Sequence, residues 1–227
     1  MLRLRVTAPF AAFRPMAAGS FRPTADFLTP SAAFGLLLNI AGVEMRGAEE
    51  KSGGTTLIAN SLPPVRLAIG ACSFPERQQL FQQLHNYPVG TSGKEKAHLA
   101  KGSKYNIKPV SRAFLSDFDA IIAVEAPDLE PEIRKGLLGK SSRRYGLPFL
   151  GDNSFLPDRL EEAPESAGAH WYCALDHTSS PLEKRRISRL TITINREDMA
   201  GTKSRLFAPL KEASPEVPAA AWVEVIY

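Results

Sequence analysis

Arg14 and Arg22 flank a loop that runs into Thr29-Pro30-Ser31. Thr29 is a good helix N-cap, and Pro30 suits the first helical position. A helix N-terminus offers N–H groups and a favourable dipole to a phosphate. Guanidinium groups beside it would add bidentate contacts. These residue types in this order suit a phosphate site. They equally suit a solvated loop that feeds a capped helix. Further along, Lys108 and Arg112 lie at the start of a strand, and Arg143 and Arg144 precede Tyr145. Lys184, Arg185, Arg186 and Arg189 form a late basic run, the usual signature of a solvated face.

Several chemistries find no residues to carry them. Cys72 and Cys173 stand alone, which excludes a zinc ribbon or a CxxC site and reads as two buried thiols. The four histidines form no HxxxH or HxH pair, so no metal site is expected. "KSGGTTL" places its lysine before its glycines and is not a phosphate-binding P-loop. No GxSxG elbow is present. The carboxylates of "PDLEPE" fall in a helix's first turn, where the helix dipole explains them. No cofactor is implied. The net charge of +4 over 227 residues tilts the partner towards polyanions only mildly. The longest apolar run, Ala32 to Val43, is too short for a bilayer span, which needs about 20 residues.

The elements that must position these residues follow from periodicity. The N-terminus is arginine-rich and acid-free up to Asp26, as organelle leaders are. However, Leu2, Leu4, Val6 and Ala8 alternate with Arg3, Arg5 and Thr7. Period two predicts a half-buried strand rather than the amphipathic helix of a leader. A loop over 9–28 follows, then a short apolar helix over 30–41 ended by Gly42. Residues 44–62 read as a mobile polar excursion, and 64–71 as a second strand. "FPERQQLFQQLHNYP" reads as a short helix between prolines. Residues 89–107 set Lys94, Lys96, Lys101 and Lys104 against Glu95, a lysine-rich loop. "VSRAFLSDFDAIIAVEA" reads as two strands joined by a tight turn at Ser116-Asp117. A helix with Asp128 as N-cap, a turn-rich stretch and an acidic linker over 158–169 come next. "HWYCALD", "RLTITI" and "AWVEVIY" are late strands. The order suits an antiparallel, ferredoxin-like α+β domain with insertions, a topology that often presents an open sheet face to RNA.

Four stretches resemble a known family. "FRPTADFLTPSAAFGLLLNIAGVE" is similar to the N-terminal signature of the CRISPR-associated Cas-five proteins of the RAMP superfamily, with its helix opening on Thr-Pro-Ser and carrying Gly-Leu-Leu. "QQLHNYP" and "KPVSRAFLSDFDAIIAV" resemble the family's next stretch, and "YGLPFLGDNSFLPDRL" its later Leu-Gly turn. The similarity runs over about residues 2–160. It implies a ferredoxin-like, RRM-related sheet with helices on one face, spanning 1–160. A thumb-like insertion is expected at about 87–108, and C-terminal strands over 161–227 extend the same domain.

The resemblance also implies a role. Such proteins are cytoplasmic, non-catalytic subunits of type I CRISPR surveillance complexes (Cascade), here most like the I-B branch. They hold the 5′ handle of the guide crRNA and cap the filament of backbone subunits. They touch the large subunit and meet target DNA near the first guide positions. On this reading Arg14, Arg22, Thr29 and Ser31 meet handle phosphates. Lys104, Lys108, Arg112, Arg143, Arg144 and Tyr145 are the remaining RNA candidates. One branch of the family cuts precursor crRNA without a metal. His85, Tyr87 and Lys108 would be the candidates for that chemistry.

Overall fold

The computed structural model describes residues 1–15, 21–51, 55–88, 105–142, 146–175 and 181–227. The alternating N-terminal stretch is strand β1 (Leu2–Ala11), and Leu2, Leu4, Val6 and Ala8 are all buried. Helix α1 (Pro30–Ala41) begins where the sequence predicts. Thr29 Oγ1 accepts from the Ala32 N–H at 3.2 Å, and Gly42 closes the helix at φ 80°. Phe34, Leu37, Leu38 and Ile40 are fully buried against the sheet. Each such side chain contributes about 1.5–3 kcal/mol by leaving water.

Strand β5 (Val65–Ser73) and strand β7 (Tyr105–Glu125) follow, then helix α2 (Glu130–Leu137) and strand β8 (Arg159–Glu162). Across the sheet these four strands run β5-β7-β1-β8, each antiparallel to its neighbour. Strand β9 (His170–Ala174), strand β10 (Ser188–Thr193) and strand β11 (Lys203–Pro209) extend the sheet beyond β5 in the order β9-β11-β10. Strand β12 (Val223–Val225) pairs with β5. Helices α1 and α2 cross so closely at Gly136 that an added Cβ would lie 1.8 Å from the Ile40 carbonyl oxygen.

The middle of the chain departs from the pattern reading. "ERQQLFQQLHNYP" is not a helix but strand β6 (Glu76–Pro88), laddered on β7 from Glu76↔Ser116 to Pro88↔Tyr105. Leu80 and Phe81 are both exposed, so among the described residues this segment has no apolar face turned to the core. Nor is Ser116-Asp117 a turn: β7 runs through it unbroken. Asp117 takes φ 54° there, opposite Pro9 of β1. Buried positions change parity across it, from Phe118, Ala120 and Ile122 to Leu115 and Ala113. The turn signal marks a kink where β7 leaves β5 for β6. Strand β2 (Phe21–Arg22) lies parallel to β7 in the same stretch.

Three smaller expectations also change. The excursion at 44–62 holds a hairpin of β3 (Arg46–Lys51) and β4 (Thr55–Ile58). The acidic linker contains β8, which pairs with β1 from Leu4↔Glu162 to Thr7↔Arg159. Asp128 does not cap α2; the N-cap position is Leu129, with no side-chain hydrogen bond.

The sheet is not open on its far face. Ala68, Ile121 and Ala123 point away from α1 and pack with Ala163, Ala169, Trp171, Cys173, Leu182, Ala208 and Ala221. An added Cβ on Gly70 would lie 2.9 Å from the Trp171 ring. Arg3, read as an outward residue, is buried in this layer. Its guanidinium donates to the carbonyls of Glu165 and, at 2.6 Å, Ala167, and lies over Trp171 at 5.5 Å. The C-terminal third therefore covers the central strands where an open RNA-facing sheet was expected.

Candidate nucleic-acid interface

The site is assembled where β1 ends. The Ala12 N–H donates to the Leu150 carbonyl at 3.0 Å, and the Leu150 N–H to the Phe155 carbonyl at 2.8 Å. This is the "FLGDNSF" turn. Gly151 has φ 75°, and a Cβ there would lie 2.1 Å from the Ala12 carbonyl oxygen, so only glycine fits. The turn delivers Asp152, nearly buried, to two arginines.

Arg14 donates to Asp152 Oδ2, and Arg112 Nη2 lies 2.7 Å from the same oxygen. The Ser154 N–H donates to Asp152 Oδ1 at 3.0 Å. Burial works against the Asp152 carboxylate. The Ser154 N–H and the charges of Arg112 and Arg14 outweigh it and hold its pKa below the ordinary carboxylate value.

The two arginines differ in access. Arg112 keeps 12% of its side chain exposed, against 42% for Arg14. The Phe155 ring covers the Arg112 guanidinium at 4.4 Å. Phe155 in turn meets Phe10 and Phe114 at centroid distances of 6.0 and 6.1 Å. Arg112 is thus neutralised and covered within the protein, whereas Arg14 keeps an open side. Arg22 sits in register beside Arg112 and is half-buried.

Arg14, Thr29 and Ser31 come together in one cleft of about 660 Å³ at the start of α1. The Thr29 and Ser31 hydroxyls lie 3.1 Å apart, and both residues are nearly buried. Arg46 and Arg196 line the same cleft, with Phe149 and Tyr227. Arg46 is paired with Glu44 at 2.9 Å, and Arg196 donates to the Thr56 carbonyl at 3.3 Å. Sequence reasoning missed both. Arg46 was placed in a polar excursion, and Arg196 lies in a C-terminal stretch with no motif. Only the approach of the β3–β4 hairpin and the end of β10 to α1 reveals them.

Lys104, Arg143, Arg144 and Tyr145 lie outside the described residues. The described residues flanking that last group lie near the cleft: Gly146 lines it, and Ser142 abuts Gly42. Most of the expected thumb is likewise outside the described residues. Lys108 pairs with Leu84 along the β6–β7 ladder, and Tyr87 with Asn106, with an irregularity between Leu84 and Tyr87 that contains His85. Among the described residues no group of three or more metal-ligating side chains gathers, and no helix is long and apolar enough to cross a membrane. Burial pushes the Cys72 and Cys173 thiols up to about 11, so neither is a ready nucleophile.

The fold and cleft together define a class: a mostly antiparallel α+β domain with a cleft along its first helix, lined by Arg14, Arg46, Arg196 and Glu44. A family model described as CRISPR-associated protein (Cas_Cas5) matches residues 1–204, and the chain belongs to that family. Among solved structures, one described as a CRISPR RNA-guided surveillance complex aligns with TM-score 0.56 at 16% identity, covering 97% of this chain and 92% of that one. Another, described as the crystal structure of a Cas protein, aligns with TM-score 0.44 at 17% identity, covering 93% of each chain. No curated protein matches.

Proposed function

We propose that this protein is a non-catalytic, cytoplasmic subunit of a type I CRISPR Cascade complex, nearest the I-B branch, in antiviral defence or RNA-guided DNA targeting. It holds the 5′ handle of the guide crRNA, caps the backbone filament and contacts the large subunit. The observation that carries this reading is the cleft along α1, lined by Arg14, Arg46 and Arg196 with one acid, Glu44, in a chain of the Cas-five family. A cleft of that charge beside a helix N-terminus suits the phosphates of a bent single strand. A ferredoxin-like core is supported by the order strand, helix, two strands, helix, strand with spatial neighbours β5-β7-β1-β8. On this reading residues 87–108 form the thumb, and the strands of 161–227 extend the domain.

Arg14 and Arg22 are the proposed direct phosphate ligands, while Arg112 acts through Asp152 and Phe155 by holding the turn beside the cleft. The test is binding of handle RNA by the full chain as salt is varied. Arg14→Ala with Arg22→Ala should lower the salt slope by about 1.4, at about 0.7 per single-strand phosphate contact. An unchanged slope removes both from the interface. The non-catalytic part has its own test. Site-specific cleavage of repeat RNA in EDTA, abolished in His85→Ala, would overturn it.

A further inference from the structure

The late basic run is not an arbitrary solvated face. Lys184, Arg185 and Arg186 form a 3₁₀ turn that leads into β10, and all three are exposed. The turn is anchored at both ends. The Glu183 N–H donates to the Pro209 carbonyl at 2.9 Å, and the Glu183 side chain accepts from the Arg185 N–H at 3.1 Å. Ser188 donates to Asp26 at 2.7 Å. The Arg186 guanidinium lies over Phe74 at 4.1 Å, and Phe74 packs on His170. Arg189 projects from the outer face of β10, 3.5 Å from the Ser204 hydroxyl.

None of the ion pairs among the described residues involves Lys184, Arg185, Arg186 or Arg189. Among the described residues, Glu183 caps the turn, and Asp26 accepts from Ser188 and pairs with Arg77 at 3.2 Å. Other cations in the fold neutralise internal acids, as Arg14 and Arg112 do with Asp152 and Arg5 does with Asp119.

We infer that this turn and the start of β10 form a second nucleic-acid surface, one that takes the sugar–phosphate backbone of duplex DNA. The run covers roughly 15 Å at about 2 Å per residue in the turn and about 3.3 Å per residue in the strand. With both strands counted, duplex DNA carries one phosphate per about 1.7 Å of axis, so several lie within that reach. The exposed apolar residues beside the run, Ile187 and Leu206, are aliphatic, and Phe74 is covered by Arg186. Among the described residues an unpaired base therefore finds no exposed ring beside the run to stack on, which favours a duplex. Contacts to backbone alone reward the higher charge density of a duplex. This surface differs from the cleft at α1 and does not depend on the guide-RNA reading.

The experiment uses the full chain with a labelled duplex of about 30 base pairs of arbitrary sequence, titrated across about 50–200 mM salt. Lys184→Ala/Arg185→Ala/Arg189→Ala leaves the Arg186–Phe74 stack in place, and an unchanged melting temperature confirms its fold. The slope of log K against log salt should fall by about 2.7 on the duplex, at about 0.9 per lost contact, with handle-RNA binding unchanged. A Lys184→Arg/Arg189→Lys variant should keep the slope. An unchanged duplex slope in the alanine variant overturns the inference. So does a loss seen only on single-stranded RNA, which would assign the surface to RNA backbone. Arg14→Ala/Arg22→Ala tests the other reading separately, because it should affect handle RNA and not the duplex.

Discussion

Asp152 allows the clearest test of how this site is held together. Asp152→Asn keeps the shape and the acceptor for the Ser154 N–H but removes the charge facing Arg112 and Arg14. Arg14 is half in water, so its pair contributes no more than about 1 kcal/mol. Arg112 is mostly covered by Phe155 and the turn, so losing its counter-charge leaves a cation with little water to replace it. Breaking a fully buried pair costs about 3–5 kcal/mol, and this one lies nearer the surface. A loss of about 3 kcal/mol in equilibrium urea unfolding is expected, or about 6–12 °C in melting temperature for a chain of this size. Arg112→Met combined with Asp152→Asn removes the stranded charge. It should be less destabilising than the sum of the two singles by about 2 kcal/mol.

The pH dependence has a definite sign. The Asp152 carboxyl titrates lower in the folded protein than its unfolded value of about 3.9. Its contribution is complete above that value and is lost as pH falls through the folded one. The gap between wild type and Asp152→Asn should therefore hold from pH 7 to about 5 and begin to narrow as pH falls below about 3.9. Strict additivity of the single variants, or a gap that widens as pH falls below about 3.9, would refute the charge argument.

Two further predictions are independent of the site. Gly136→Ala places a Cβ 1.8 Å from the Ile40 carbonyl oxygen, so α1 and α2 must separate; a cost of about 2–3 kcal/mol should appear as a lower urea midpoint. Cys72 and Cys173 carry thiols raised to about 11 by burial, so both should resist a thiol reagent at pH 7–8 in the native protein and react once it is unfolded.

Local chemistry was legible wherever the sequence carried its own constraint. Strand β1 announced itself by alternation, and α1 by Thr29, Pro30 and Gly42, because caps and periodicity act within a few residues. The grouping of Arg14 with Thr29 and Ser31 was also readable, since one connection between β1 and α1 carries them. What lay beyond reach was set by pairing between distant segments. Residues 76–88 have the composition of a weak helix, but β7 supplies a long ladder of partners, and backbone hydrogen bonding across it decides the matter. Arg3 looked outward by parity, and only the C-terminal cover carrying Trp171 makes that face an interior. Arg112 read as a candidate RNA contact at the start of a strand. The Gly151 turn brings Asp152 and Phe155 from forty residues further along the chain, and they neutralise and cover it. Type and spacing reveal which residues carry charge; whether that charge faces a partner or another side chain depends on long-range contacts that no local pattern encodes.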